Sequence, residues 1–124
     1  MSISNYAEDK LLKVVFNNTA FGAVATTYIK LHTGNPGEDC TSNPSAMTTR
    51  VAASWATAAS GSVATNASVT FTSMPANETI THISVWDAAS GGNPLWYGAL
   101  TTSRGVLIGD SLQFPSGQII ATLD

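Results

Sequence analysis

Residues 79–100, TITHISVWDAASGGNPLWYGAL, limit the fold more than any other part of this chain. Ile83 and Val85 fall on one side of an extended backbone and His82, Ser84 and Trp86 on the other, the two-residue period of a strand with one buried face. Leu95 to Leu100 is a second run dense in aromatic and aliphatic side chains. Between the runs, Asp87 can hydrogen-bond the backbone two residues on, Gly91 and Gly92 allow positive φ without a Cβ clash, and Pro94 limits the next strand's first pairing. The pattern predicts an antiparallel hairpin with a loop of about seven residues. Nothing in it suggests catalysis.

The rest of the chain is consistent with strands like these. Ser4 is placed to cap a helix over 5–16, where Glu8 and Asp9 come early and Lys10 and Lys13 late, matching the helix dipole. Ala7, Leu11, Val14 and Val15 recur at helical spacing and predict one apolar face, packed on a sheet or docked on a partner. Strands are expected at 25–33, 50–56, 61–64 and 68–72. After the hairpin, 101–105 and 109–110 are expected to turn the chain. Leu112 and Phe114 then alternate, and Ile119, Ala121 and Leu123 share a last face. Residues 34–49, opening with Gly-Asn-Pro-Gly-Glu-Asp, read as a long functional or interface loop. About eight short strands separated by Gly, Asn and Pro predict an all-β protein. The expected architecture is an antiparallel, jelly-roll-like β-sandwich with a short N-terminal helix, one domain over 1–124.

Composition enters through the surface. Charged residues are 10% of the chain, against about 25% in ordinary soluble domains. A surface so poor in charge is weakly protected against association, so subunits or a partner are expected to cover much of it. The net charge is −3, and from residue 31 onward Arg50 and Arg104 face six carboxylates. That leaves no basic stripe for phosphates, and nucleic acid is not an expected partner. Cys40 is the one cysteine, which excludes an intrachain disulfide. No apolar run reaches membrane-span length, and the start lacks a signal-peptide pattern. A protein folded in a cytoplasm, with no membrane partner, is expected.

The residues that could carry chemistry have bland readings. His32 and His82 lie on the polar faces of predicted strands near Asp87 or Glu38, but no HxH or HExxH spacing supports a metal site. Cys40 could pair with either histidine as nucleophile and base, yet carries no surrounding signature. The turn holding Asn35, Glu38 and Asp39 offers oxygen ligands without the alternation of a calcium loop. The sequons at Asn17, Asn66 and Asn77 matter only on a secretory route. Trp55, Trp86 and Trp96, with Tyr28 and Tyr97, suit packing, subunit contacts or sugar stacking. For Trp86, burial under a second layer and burial in a subunit interface are both open. No catalytic group, metal, cofactor or small-molecule substrate is expected.

In order, NYAEDKLLKVVF, YIKLHTGNPGED, SVTF, ITHISVWDAASGGNPLWYGAL and GDSLQFPSGQI resemble the small tailed-bacteriophage virion proteins labelled tail-fibre or head-decoration (cement) proteins. The resemblance spans nearly the whole chain and departs at 40–49. It implies a non-enzymatic virion component on a compact β-sandwich, made in the bacterial host cytoplasm. Since no shaft-forming repeat or coiled coil is visible, the expectation is a capsid decoration protein. It would be a homotrimer bound to the major capsid protein on the outer head surface and would stabilise the assembled shell by mass action. A tail-fibre or baseplate receptor-binding module, using Tyr28, Trp55 and Trp96, is the alternative. The expected contact residues are Tyr6, Leu11 and Val15 on the helix, Asn35, Glu38 and Asp39 in the loop, and Trp55, Trp86 and Trp96.

Overall fold

The computed structural model describes residues 1–123. In chain order its elements are β1 (Ser2–Ile3), α1 (Asn5–Phe16), β2 (Thr27–His32), β3 (Val51–Ala53), β4 (Ser62–Ala64), β5 (Val69–Phe71), β6 (Glu78–Trp86), β7 (Pro94–Val106), β8 (Leu112–Phe114) and β9 (Ile120–Thr122). Five strands form one antiparallel sheet in the order β1-β7-β6-β2-β3. Two antiparallel ribbons, β4–β9 and β5–β8, lie outside that sheet. Ile29, Leu31, Ile83 and Val85 from the large sheet pack with Val69, Phe71, Leu112, Phe114 and Ile119 from the other layer in one apolar cluster. The all-β, sandwich-like fold expected from the alternation is therefore what forms.

The hairpin is β6 and β7, and Asp87 to Asn93 are the loop residues between them. The Asp87 carboxylate accepts from the Asn93 backbone N–H at 2.7 Å and from its side-chain amide at 3.0 Å. Gly91 and Gly92 both have positive φ, as their sequence position suggested.

One expectation about β7 is wrong. Residues 101–105 do not turn the chain; they continue the strand, and Thr79, Ile80 and Glu78 pair with Gly105, Arg104 and Val106. Between the pairs Ile80–Arg104 and His82–Ala99, Thr81 of β6 faces four residues of β7, namely Leu100, Thr101, Thr102 and Ser103. This is a β-bulge with three extra residues rather than the usual one. Its polar residues protrude from a stretch that β1 leaves uncovered, since β1 pairs only with Trp96 and Tyr97. That exposure explains why TTSRG has the composition of a turn.

Ser4 caps α1 as expected, its Oγ accepting from the Ala7 N–H at 3.2 Å. The same hydroxyl donates to the Pro94 carbonyl at 2.7 Å, and the Ser4 N–H donates to the Leu95 carbonyl at 2.9 Å. Helix start and hairpin are thus joined through one fully buried serine. Ser4→Ala removes both side-chain bonds, and a stability loss of about 1–2 kcal/mol with fraying of α1 is expected in urea denaturation followed by circular dichroism.

Candidate functional site

The helix presents two apolar faces, where one was expected. At 3.6 residues per turn, Ala7, Leu11 and Val14 lie along one side. Ala7 is buried and Leu11 half-buried where α1 packs on β7. Tyr6 is half-buried on the flank, edge-on to Phe21 at 6.4 Å, with the Lys10 ammonium 5.6 Å from its ring. Val15, grouped by spacing with the inner face, lies on the other side with Leu12 and Phe16. These three are 64%, 56% and 75% exposed. Leu12 and Phe16 carried no weight in the sequence reading. The available signal was an aromatic residue in the last turn, with no place in the inner stripe.

Residues 34–49 fold across the outer face of the large sheet rather than standing free of it, burying Pro36, Cys40 and Ser45. Asn35, Glu38 and Asp39 stay exposed at the turn. Asn35 accepts from the Gly37 N–H at 2.9 Å, Asp39 from the Thr41 N–H at 3.3 Å, and the Glu38 carbonyl from the first helical N–H, Asn5, at 3.2 Å. This acidic turn therefore adjoins the start of α1. Burial, and secondarily Asp39, push the Cys40 thiol up to about 12, so it is neutral and not a nucleophile at neutral pH.

Beneath that loop lies a directional chain of hydrogen bonds. The Trp86 indole N–H donates to Ser84 Oγ at 2.8 Å, and Ser84 Oγ meets His32 Nε2 at 2.7 Å. His32 Nδ1 is 2.9 Å from the Ser42 carbonyl, which can only accept. Nδ1 therefore carries the proton, and the Ser84 hydroxyl donates to Nε2. Burial, the largest influence, holds the His32 pKa below its ordinary value, which favours this neutral form. Ser84 and His32 are both fully enclosed, so their contact ties the loop to the sheet and offers no approach to a substrate. Over the indole sits the Arg50 guanidinium, 3.9 Å from the ring centre, donating to the Ala88 and Gly91 carbonyls at 2.8 Å each. Trp86 is thus buried under a second layer of its own chain.

Trp55 and Trp96 come together elsewhere. They line a cavity of about 360 Å³ with Val63, Val85 and Ala121, between the large sheet and the β4–β9 ribbon. The Trp55 indole donates to Thr27 Oγ1 at 2.6 Å and that of Trp96 to the Thr122 carbonyl at 3.2 Å. With those groups satisfied, the cavity presents apolar surface. His32 and His82 are cross-strand neighbours, yet among the described residues no three His, Cys, Asp or Glu side chains gather as metal ligands would.

The three tryptophans are thus taken up by packing within the chain, and exposed apolar side chains cluster at Leu12, Val15 and Phe16 on α1 and at Leu107 and Ile108 in the turn after β7. A match to a known family gives this surface its context: the model of the podophage GP4 fiber I protein gp80 family matches residues 2–122. The chain belongs to that family. As a member of the gp80 family it is a phage virion structural protein, the broad class that the family resemblance implied. Comparison with curated proteins gave no match.

Proposed function

We propose that the protein is a structural subunit of the phage fibre apparatus that enters the assembly through the outer face of α1. The observation behind this reading is a helix capped and anchored at one end, with Leu12, Val15 and Phe16 left bare at the other. Together they expose an apolar patch on the order of 300 Å², the scale at which such patches serve interaction. The family description, a fibre protein, supports the location.

Attachment to the outer head as a decoration protein is the second reading. Its support is that, among the described residues, the one helix spans only 12 residues and no coiled coil with which to build a shaft is present. Protein counting and electron microscopy on purified virions separate the two. A handful of copies at the tail is the expected result, while hundreds over the head would overturn the fibre location. Particles grown with Val15→Asp and Phe16→Ser together should lack the protein, although the purified variant folds, since both side chains are exposed.

A further inference from the structure

We propose that the cavity between the large sheet and the β4–β9 ribbon is a binding site for a small, uncharged hydrocarbon group. The site is separate from α1 and independent of how that helix docks.

Protein interiors are ordinarily close-packed, with few voids larger than a water molecule. Here about 360 Å³ stays open between two layers, and the sizes of the residues around it say why. Trp55, just after β3, and Trp96, in β7, are large side chains, both half-buried. Each ring is pinned in place, Trp55 to Thr27 at the start of β2 and Trp96 to the Thr122 carbonyl of β9. The ribbon contributes Val63 and Ala121, a cross-strand pair, with Ala58 from the preceding loop. These side chains are too short to reach across, and indoles held by hydrogen bonds do not swing inward to close the gap. The walls therefore stand ready before a ligand arrives, as in most ligand sites.

The lining sets the chemistry of the ligand. None of its side chains is titratable, so a charge brought inside would lose its hydration without gaining a partner. Both indole N–H groups already have acceptors, and the walls are otherwise almost wholly apolar. Water entering such a space finds nothing to hydrogen-bond. A sugar would fare no better, because its hydroxyls would be buried unpaired. Trp55 and Trp96 therefore do not form the glycan-stacking surface that two exposed indoles would suit. A hydrocarbon group gives up no hydrogen bonds on entry and takes both its own surface and the walls out of water. At about 30 Å³ for a water-sized group, 360 Å³ holds roughly a dozen non-hydrogen atoms. The indole faces suit a flat ring, while Val63, Val85 and Leu95 suit an aliphatic chain.

Nuclear magnetic resonance of the full chain, with nitrogen-labelled tryptophan, tests this. Naphthalene and octanol are the probes, and glucose is the control. The indole N–H signals of Trp55 and Trp96 should move saturably with at least one probe, with a Kd on the order of 0.1 mM. Whichever probe binds more tightly shows whether the site takes a ring or a chain. Trp86 serves as an internal reference, since it is enclosed under Arg50 and does not line the cavity. Ala58→Phe and Val63→Phe each place a ring in the space and should weaken binding by about tenfold or more. Ala58 is exposed, so its replacement leaves the core intact, and circular dichroism checks that both variants are folded. No saturable shift with either probe would overturn the site, as would shifts of Trp86 as large as those of the other two. Unchanged affinity in both phenylalanine variants, or saturable shifts with glucose, would do the same. Self-association of the wild type in sedimentation that Ala58→Phe abolishes would overturn it in favour of an apolar side chain from a second copy.

Discussion

Replacing His32 by alanine should destabilise the protein by about 3–4 kcal/mol, because three losses coincide at one buried side chain. The imidazole leaves a void between sheet and loop, the Ser42 carbonyl loses its donor, and the Ser84 hydroxyl loses its acceptor. The same residue should make stability depend on pH. Above the ordinary histidine pKa of 6.5, folded and unfolded chains are both neutral at this position, and the network contributes in full. The folded-state pKa is lowered, chiefly by burial, with Lys30 and His82 acting in the same direction against the Ser42 carbonyl. As pH falls below 6.5 the unfolded chain takes up a proton first, so stability declines until the folded-state pKa is reached. His32→Gln should remove that part of the decline. Urea denaturation at neutral pH and at about pH 5 measures it. Equal pH dependence in wild type and His32→Gln would show that His32 is not the titrating group.

What the sequence revealed, and what it hid, follows from which residues touch which. The hairpin was legible because Ile83 and Val85 alternate with Ser84 and Trp86, and because Asp87, Gly91 and Gly92 state their turn chemistry locally. The cap at Ser4 was legible for the same reason. The course of 34–49 was not, since Pro36, Cys40 and Ser45 are small residues whose burial depends on a sheet face distant in sequence. The continuation of β7 was hidden by its bulge, whose exposed threonines and serine follow no period. On α1, spacing identified the apolar residues but not their sides. Ala7 and Leu11 face the protein, while Val15, grouped with them, faces away alongside Leu12 and Phe16.

Gly92→Ala should cost about 2–3 kcal/mol, whereas Gly91→Ala next to it should cost about 1 kcal/mol. Both glycines have positive φ, +62° at Gly91 and +69° at Gly92, so both substitutions carry the penalty of a left-handed backbone. They differ in what a new methyl group would meet. At Gly91 nothing lies within 4 Å, but at Gly92 the added Cβ would collide with Asp87 Oδ1 and stand 2.7 Å from the Ala88 Cβ. Asp87 must then release the Asn93 groups that close the loop. The disturbance should travel further, because the Ala88 and Gly91 carbonyls hold Arg50 over Trp86. Once that stack loosens, water reaches an indole that is 7% exposed in the intact protein, and Trp86 emission should shift to the red. Thermal melting of the two variants, with tryptophan emission recorded on the folded proteins, tests the contrast. Equal destabilisation with unchanged emission would mean that backbone conformation alone sets the cost, and that Asp87 yields without disturbing the Arg50–Trp86 stack.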